Sequence, residues 1–273
     1  MVPGQKAWPL RFNRRRVAAV YDVPEVRAFL ETIEESLRKP DVEVLHSGRN
    51  IITAVRLPLS GGRTIDLVIK EFRPRGLQRL RTLFGASKAA RAWRGAATLA
   101  EAGLPTASPV AFIERRRRGS VERAYFIAER IVGAVEIRAF FGGLAEADLR
   151  PLLAALARTV RDGHDRGILH GDLSDGNVLA ARDADGTIKL FFLDTNRVRR
   201  RKKIGDSARA KNLIRLGVPP ALRTEFLTMY AGERGLRPSF ARRYARAKSA
   251  FEGWLRFKKK TRLRRWARKL KLQ

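Results

Sequence analysis

The stretch ILHGDLSDGNVLAARDADGTIKLFFLDTNR, residues 168–197, decides the fold of this chain. It places Asp172 and Asn177 on one loop and then doubles back through a turn rich in aspartate and glycine. Because short apolar runs lie on both sides of that turn, the pattern predicts a tight β-hairpin. We expect the hairpin to return Asp194 to the neighbourhood of Asn177.

The three polar side chains of this stretch suit one kind of chemistry. Asn177 and Asp194 offer hard oxygen ligands, which fit Mg²⁺ better than any soft metal. Asp172 is then left to act as a base that accepts the proton of a hydroxyl group. Such a base, with an amide and a carboxylate that hold magnesium against phosphates, is half of the site that phosphoryl transfer from ATP requires.

The other half of such a site is a lysine on a strand, and Lys70 fits it. Residues 41–72 alternate β-branched residues with turn signals at Ser47-Gly48 and Ser60-Gly61-Gly62, a pattern typical of consecutive antiparallel strands. Lys70 ends the run Leu67-Val68-Ile69-Lys70. We expect the alternation of this strand to point the lysine into a cleft.

The rest of the chain reads as a few further strands and then mostly helix. The predicted elements are a helical stretch of one or two helices over residues 77–102, strands over 108–114 and 124–130 joined by the loop 115–123, a helix over 146–165, and further helices after about residue 211. This order predicts an α+β fold with two lobes. A small antiparallel sheet forms the first lobe, and the second, mostly helical lobe begins near Gly133.

The same residues resemble a known superfamily. His170-Gly171-Asp172 with Asn177, followed by Asp194, resembles the catalytic and metal-binding loops of the protein-kinase-like superfamily, and Val68-Ile69-Lys70 resembles its nucleotide-binding lysine strand. His170 is interpreted as a structural residue that supports the loop.

More narrowly, the chain resembles the lipopolysaccharide core kinases that phosphorylate Kdo or heptose. The features that carry this resemblance are the block from Ala92-Trp93 through Gly103-Leu104-Pro105-Thr106, the signature Leu193-Asp194-Thr195-Asn196-Arg197, and the Arg- and Lys-rich segment before Lys211-Asn212-Leu213. The resemblance covers roughly Glu43 to Tyr230.

The resemblance implies a two-lobed protein-kinase-like fold with four parts. These are an N-terminal extension over residues 1–40, a nucleotide-binding N-lobe over 41–132, a catalytic and metal-binding C-lobe over 133–250, and a basic amphipathic tail over 251–273.

The resemblance also implies a role for each polar side chain. Asp172 accepts the proton from the acceptor, Lys70 steadies the α- and β-phosphates of ATP, and Asn177 and Asp194 hold Mg²⁺. Further contacts to the nucleotide are expected from Gly48, Arg49, Asn50 and Glu129.

A basic tract follows the expected magnesium ligand. Six of the seven residues from Arg197 to Lys203 are basic, and we expect Arg197, Arg199 and Arg200 to contact an anionic acceptor such as lipid-linked Kdo. An internal ion pair is the alternative interpretation of Arg197.

Three departures from protein kinases bear on function. Gly171 stands where regulated protein kinases have an arginine that binds a phosphorylated activation loop. Ser174 stands where serine/threonine kinases usually have a lysine. Both departures favour a sugar-like acceptor over a protein. Ala92 occupies the position of the usual helix glutamate. Either Glu101 reaches back to Lys70 or ATP alone holds the lysine, so a slow enzyme and a pseudokinase stay open.

The formal net charge of +31 predicts attraction to a polyanionic partner. No window reaches the roughly 18 apolar residues of a membrane span, and the start lacks the apolar segment of a signal peptide. The absence of cysteine excludes disulfides, thiolate zinc sites and cysteine nucleophiles. We therefore expect a cytoplasmic protein.

The C-terminal tail predicts where in the cytoplasm the protein works. Lys258–Leu272 contains nine basic residues and no acid, with Leu263, Trp266 and Leu270 at helical spacing. This composition is typical of a segment lying on an anionic membrane surface. We expect a peripheral protein on the inner face of the cytoplasmic membrane, close to lipid-linked acceptors.

Two other functions stay open. The same mechanism could serve an aminoglycoside- or choline-like small molecule, although the basic tracts would repel a cationic acceptor. A non-catalytic pseudokinase adaptor could bind an anionic membrane or nucleic acid. Nucleic acid is disfavoured, because the basic runs lack interleaved aromatic residues for base stacking. The sequence leaves the oligomeric state open.

Overall fold

The structure is a computed structural model that describes residues 14–40, 42–48, 50–141 and 146–270, with backbone alone for residues 146–148 and 262–270. The chain divides into two compact units. The first contains the described residues up to Gly133 together with Asp194–Val198, and the second contains Ala134–Leu193 and the chain from Arg199 onward.

The first unit is built on a six-stranded antiparallel sheet with the order β1-β5-β6-β4-β3-β2. The strands are β1 (Arg14–Val17), β2 (Glu43–Ser47), β3 (Ile51–Pro58), β4 (Thr64–Phe72), β5 (Pro109–Arg117) and β6 (Ser120–Glu129). The meander predicted over residues 41–72 is present as β2, β3 and β4 with the expected turns.

Two pairs of helices pack against this sheet. The helices are α1 (Pro24–Glu31), α2 (Ile33–Ser36), α3 (Leu77–Phe84) and α4 (Lys88–Glu101). Phe29 of α1 and Ile33 of α2 pack against Ile69 of β4. Residues 14–40, predicted as an extension, therefore supply an edge strand and two helices to the first unit.

The other face of the sheet is covered by α4. Successive strand residues point to opposite faces, so Phe72 and Phe112 lie opposite the layer that contains Ile69. Trp93 packs against both phenylalanines, with its ring centroid 6.0 Å from that of Phe112. This packing fixes α4 beside the end of β4, where Lys70 lies.

The helical stretch predicted over residues 77–102 is present as two helices, α3 and α4. The side-chain oxygen of Ser87 accepts a hydrogen bond from the backbone N–H of Ala90 at 3.0 Å and caps α4. A capping serine satisfies an amide that the first helical turn leaves without a partner. The residues before it, from Gly85, separate α3 from α4.

The loop predicted over residues 115–123 is wrong. Strand β5 ends at Arg117 and strand β6 begins at Ser120. Only Arg118 and Gly119 form the turn between them, and both have positive φ. The arginines are compatible with strands because they meet carboxylates, as Arg116 does with Glu114 at 2.8 Å. Two central residues with positive φ match the twist of a tight hairpin.

The second unit is mostly helical with two small sheets. Its elements are β7 (Val135–Glu136), α5 (Arg138–Phe141), α6 (Glu146–Asp165), β8 (Ile168–Leu169), β9 (Val178–Arg182), β10 (Ile188–Phe192), β11 (Arg199–Arg200), α7 (Asp206–Leu213), α8 (Arg223–Ala231) and α9 (Pro238–Leu270). The sheets have the orders β10-β9-β7 and β11-β8.

The predicted helix over residues 146–165 is present as α6. Its apolar positions, including Leu153 and Leu156, are fully buried. Near its C-terminus the buried His164 bonds to Tyr230 at 2.6 Å and to Asn212 at 2.9 Å. These contacts join α6 to α7 and α8 and hold the helix that precedes the Asp172 loop.

The helix α9 runs without interruption through residue 251, where the basic tail was predicted to begin. Trp254 and Phe257 are exposed on it, whereas Leu263, Trp266 and Leu270 lie outside the residues whose side chains are described. None of the described helices has both the length and the apolar composition needed to cross a bilayer.

Candidate active site

The Asp172 loop connects β8 to β9 in the second unit. His170 is buried, and its Nε2 donates to the backbone oxygen of Leu193 at 2.8 Å, which ties the start of the loop to the end of β10. The predicted hairpin of β9 and β10 is present, and Asp183 N–H bonds to Thr187 O across its turn at 3.0 Å. His170 thus supports the loop, as expected.

Asn177 is oriented by the same loop. Its Nδ2 donates to the backbone oxygen of Asp172 at 2.8 Å, and its own backbone oxygen accepts from the N–H of Leu193 at 2.9 Å. Because the amide nitrogen is engaged in this way, the side-chain oxygen is the atom left for the predicted metal contact of Asn177. Asp194 is the next residue after Leu193 in the chain.

Asp172 has a charged neighbour that the sequence did not indicate. Its Oδ1 lies 2.5 Å from Nη1 of Arg215, and the Asp172 side chain is 17% exposed. Arg215 follows α7, far from Asp172 along the chain. It supplies positive charge beside the aspartate in a chain that has Ser174 where serine/threonine kinases have lysine.

A second arginine lies against the loop. The Arg138 guanidinium forms an ion pair with Glu136 at 2.8 Å and occupies the space where a side chain at Gly176 would lie. A residue larger than glycine at position 176, directly before Asn177, would therefore displace the guanidinium or the loop.

In the first unit, Lys70 and Asp194 form an ion pair. Lys70 Nζ lies 3.0 Å from Asp194 Oδ1, and the two side chains are 18% and 28% exposed. Asn196 Nδ2 donates to the same carboxylate oxygen. The structure thus brings together two residues predicted to serve the same nucleotide.

The segment that carries Asp194 is held directly on α4. Asp194 has left-handed backbone angles, and a 3₁₀ turn follows it at Thr195–Arg197. Thr195 Oγ1 donates to the backbone oxygen of Ala92 at 2.7 Å, and a Cβ at Gly95 would overlap the carbonyl oxygen of Thr195. The small residues Ala92 and Gly95 therefore allow the backbone of Thr195 to lie directly against the backbone of α4.

The ion pair between Lys70 and Asp194 bears on the question of the missing helix glutamate. Glu101 lies exposed at the C-terminal end of α4, and Lys70 is paired with Asp194. The long reach by Glu101 is therefore wrong, whereas a lysine held by ATP stays a prediction.

The predicted phosphate loop is described in part. Gly48 and Asn50 line a cavity of ≈ 370 Å³ with Glu71 and Arg73, whereas Arg49 lies outside the described residues. At the end of β6, the backbone N–H of Glu129 donates to Ser108 O at 3.0 Å. A role for these residues in nucleotide binding remains a prediction.

The arginines of the basic tract belong to different parts of the structure. Arg197 is in the first unit, on the 3₁₀ turn beside α4, whereas Arg199 and Arg200 form β11 in the second unit and pair with β8. All three are exposed. Their contact with an acceptor remains a prediction, and so does the joint metal site of Asn177 and Asp194.

No cluster of three or more His, Cys, Asp or Glu side chains occurs among the residues described. Magnesium in nucleotide sites is commonly held by one or two protein groups plus the phosphates themselves, so such a site needs no preformed acidic cluster.

Comparison with protein families supplies the identity. A family model described as the lipopolysaccharide kinase (Kdo/WaaP) family matches residues 75–223, more than half of the chain. The chain belongs to the lipopolysaccharide kinase family. It is therefore a phosphotransferase. Asp172, Asn177 and Asp194 lie inside the matched range, and Lys70 lies outside it.

One solved structure gives a consistent fold. A structure of WaaP in complex with acyl carrier protein matches at a TM-score of 0.57 with 20% identity, covering 91% of this chain and 98% of that one. A Rio2 kinase complex with ADP, Mg²⁺ and phosphoaspartate from Chaetomium thermophilum matches at a TM-score of 0.47 with 15% identity, covering 84% and 75%. No curated protein sequence matches the chain.

The fold class predicted for this lipopolysaccharide kinase is confirmed. The chain combines an antiparallel sheet with a mostly helical C-terminal part in a protein-kinase-like, α+β fold. At 20% identity, the likeness to WaaP establishes a shared fold and nothing further about substrate.

Proposed function

We propose that this lipopolysaccharide kinase transfers the γ-phosphoryl group of ATP, in a Mg²⁺-dependent reaction, to a sugar hydroxyl of the lipopolysaccharide inner core. The acceptor sugar is Kdo or heptose. The enzyme works as a peripheral protein at the cytoplasmic face of the inner membrane.

The observation that carries the proposal is the ion pair between Lys70 and Asp194. In kinases a strand lysine steadies the nucleotide phosphates and an aspartate after a β-hairpin binds magnesium. Here the two charges lie 3.0 Å apart within one unit, although the helix glutamate of other kinases is replaced by Ala92. The pair gives Lys70 a defined position without that glutamate, which argues against a pseudokinase.

Asp172 is the proposed base. It takes the proton from the acceptor hydroxyl as the hydroxyl oxygen forms its bond to the γ-phosphorus, and the bond from that phosphorus to the β–γ bridging oxygen breaks to release ADP. Arg215, 2.5 Å from Asp172 in the structure, orients the carboxylate.

The donor groups fit ATP and magnesium. Asn177 and Asp194 offer an amide oxygen and a carboxylate, which are hard ligands for Mg²⁺, and Lys70 offers a point charge for phosphate. When bound, the metal would neutralise the charge on the phosphoryl oxygens.

The proposed acceptor follows from charge. Arg199 and Arg200 are exposed on β11 and begin a run of basic residues that continues to Lys203. Kdo carries a carboxylate, and lipid-linked inner core carries phosphate, so such an acceptor would be attracted. A cationic aminoglycoside would be repelled.

Membrane association is proposed from α9. Trp254, Leu255 and Phe257 are exposed on this helix and are followed by Lys258–Lys260. Aromatic and basic side chains on one surface helix favour the interface of an anionic bilayer.

The decisive experiment is an acceptor screen with γ-labelled ATP. The purified protein is incubated with Kdo-lipid A, heptosylated core lipid, an aminoglycoside and choline, with and without Mg²⁺. We expect label in a Kdo- or heptose-containing lipid only when magnesium is present.

Asp172→Asn serves as the matched control, because it removes the base and keeps the shape of the side chain. Its turnover should fall by about 10²–10⁴-fold while ATP still binds. Label in the aminoglycoside or choline alone would overturn the proposed acceptor, and no magnesium-dependent transfer to any acceptor would overturn the proposed enzyme.

A further inference from the structure

A second cavity in the first unit lies beside α4 and has a strongly cationic wall. Its volume is ≈ 450 Å³, within the usual range of ligand sites. The cationic residues lining it are Arg73, Arg81, Lys88, Arg91, Arg94 and Arg197. No carboxylate is among its lining residues in the described part of the chain.

One cation of this wall already has a carboxylate partner, since Arg73 forms an ion pair with Glu71 at 2.5 Å. On α4, Arg91 has like charges for neighbours. Partial burial, and after it the nearby charges of Arg94 and Arg197, lower the pKa of Arg91.

The position of these charges on α4 strengthens their effect. Lys88, Arg91 and Arg94 follow one another at three-residue intervals, which places them along one side of the helix. Ser87 and Lys88, at the N-terminus of this 14-residue helix, also line the cavity. The positive end of the helix dipole therefore adds to the field of the side chains.

Like charges at this spacing destabilise a helix unless an anion compensates them. Guanidinium groups bind phosphate through paired N–H donors, and several of them around one cavity suit a group that carries more than one negative charge. We propose that the α4 cavity is a second anion site, which binds a phosphate-bearing group separately from the nucleotide phosphates assigned to Lys70.

The walls of the cavity also define what surrounds the phosphate. Phe72, Val121 and Ala124 are buried residues that form an apolar wall. On α3, Arg81 lines the cavity, while Leu80 of the same helix is exposed. The phosphate can therefore come from a soluble diphosphate or from the headgroup of a lipid, and the binding test has one arm for each source.

Occupancy of the site would act on Asp194. Arg197 ends the 3₁₀ turn that begins directly after Asp194, and Thr195 of that turn is bonded to α4. An anion bound to Arg91 would attract the nearby charge of Arg197 and so hold this turn against α4. The site would thereby stabilise the segment that carries the proposed metal ligand.

The test measures binding of inorganic pyrophosphate by calorimetry at constant ionic strength. We expect the double variant Arg91→Gln/Arg94→Gln to lose at least about tenfold in affinity, because two charge-assisted contacts are removed. The matched control Arg242→Gln/Arg243→Gln removes the same charge from exposed positions on α9 and should bind like the wild type.

Because pyrophosphate can also bind at Lys70, the comparison is repeated in the Lys70→Met background, where the cavity variant should again lose affinity relative to the α9 control. In the second arm, phosphatidylcholine vesicles with and without phosphatidic acid replace pyrophosphate, and the same variants are compared. If the cavity variant loses binding only to pyrophosphate, the site takes a soluble diphosphate. If it loses binding only to the phosphatidic acid vesicles, the site takes a lipid headgroup.

The proposal is overturned if the cavity variant matches the α9 control in both arms in the Lys70→Met background. Melting temperatures of all variants check folding. If the double variant is unfolded, the single variant Arg81→Gln, at an exposed position on α3, replaces it, and its affinity is held to the same comparison.

Discussion

The carboxylate of Asp172 lies 2.5 Å from the guanidinium of Arg215, a residue that follows α7 and is distant in sequence. In a chain with Ser174 in place of the catalytic-loop lysine of many kinases, this arginine brings the missing positive charge from another element. The proposed base is thus oriented by the helical part of the second unit.

Arg215→Ala should lower turnover by about 10–100-fold with little change in the KM for ATP, because the arginine acts on the base. Arg215→Lys should retain more activity, since charge is kept while the planar geometry is lost. Steady-state kinetics with labelled ATP measure both. Equal turnover of Arg215→Ala and an Arg242→Gln control would contradict the role.

The pairing of Lys70 with Asp194 predicts a coupling in stability. Lys70→Met and Asp194→Asn each leave one partly buried charge without its partner, whereas the double variant leaves none. A double-mutant cycle by urea unfolding should give a coupling energy of about 1–3 kcal/mol. Asparagine tolerates the left-handed backbone of position 194, so the variant does not add strain. Additive effects would show that the pair contributes nothing to stability.

Gly95→Ala should destabilise the protein by about 1–3 kcal/mol, because the methyl group would overlap the backbone of Thr195. Turnover should fall as well, since the Asp194 segment must move away from α4. Gly253→Ala in α9 is the matched control, with open space around its Cβ, and should be neutral or stabilising by about 0.5–1 kcal/mol. Chemical unfolding of both variants tests the contrast, and equal stabilities would refute it.

Acid should weaken the second unit through His164. Burial lowers the pKa of His164 to about 4, from an ordinary value of 6.5, so the folded state binds its proton less tightly than the unfolded state. The stabilisation is complete above pH 6.5 and is lost as the pH falls toward 4. Lowering the pH from 7 to 5 should therefore reduce the free energy of unfolding by about 2 kcal/mol through this residue.

The pH effect is measured by chemical unfolding across that range. The variant His164→Gln should lose this part of the pH dependence, whereas His46→Gln, at an exposed position on β2, should keep it. Identical pH profiles for the two variants would rule out the burial of a neutral His164 as the cause.

The exposed aromatic residues of α9 predict lipid binding. Trp254→Ala/Phe257→Ala should reduce binding to vesicles that contain anionic lipid by about tenfold, because two interfacial side chains are lost. Co-sedimentation with anionic and zwitterionic vesicles provides the measurement. Added salt should weaken the remaining binding. Unchanged binding would exclude this surface of α9 as the contact.

The sequence predicts most strongly what is local. Asp172, Asn177 and the hairpin after them occur in one short stretch, and the alternating pattern around Lys70 places it on β4 as expected. Glycine turns and apolar spacing likewise predicted the meander and α6, because these features need only neighbours in the chain.

Interactions between residues distant along the chain were not predictable in this way. Nothing near Asp172 indicates Arg215, and nothing in α4 indicates that Ala92 and Gly95 accept the backbone of Thr195. The arginines of residues 115–117 read as loop because their glutamate partners belong in part to other elements, such as Glu34 on α2. A charged residue becomes compatible with a strand when such a partner is present.

The first unit is completed by Asp194–Val198, a segment that follows Ala134–Leu193 in the chain. During translation, α4 therefore leaves the ribosome long before the backbone that covers Gly95 has been made. Edge strand β1 is likewise made before β5, its partner in the sheet. Domains usually fold as units in order of synthesis, but here the nascent chain must keep an incomplete surface until residue 198 emerges, and this is the interval in which a chaperone would protect it.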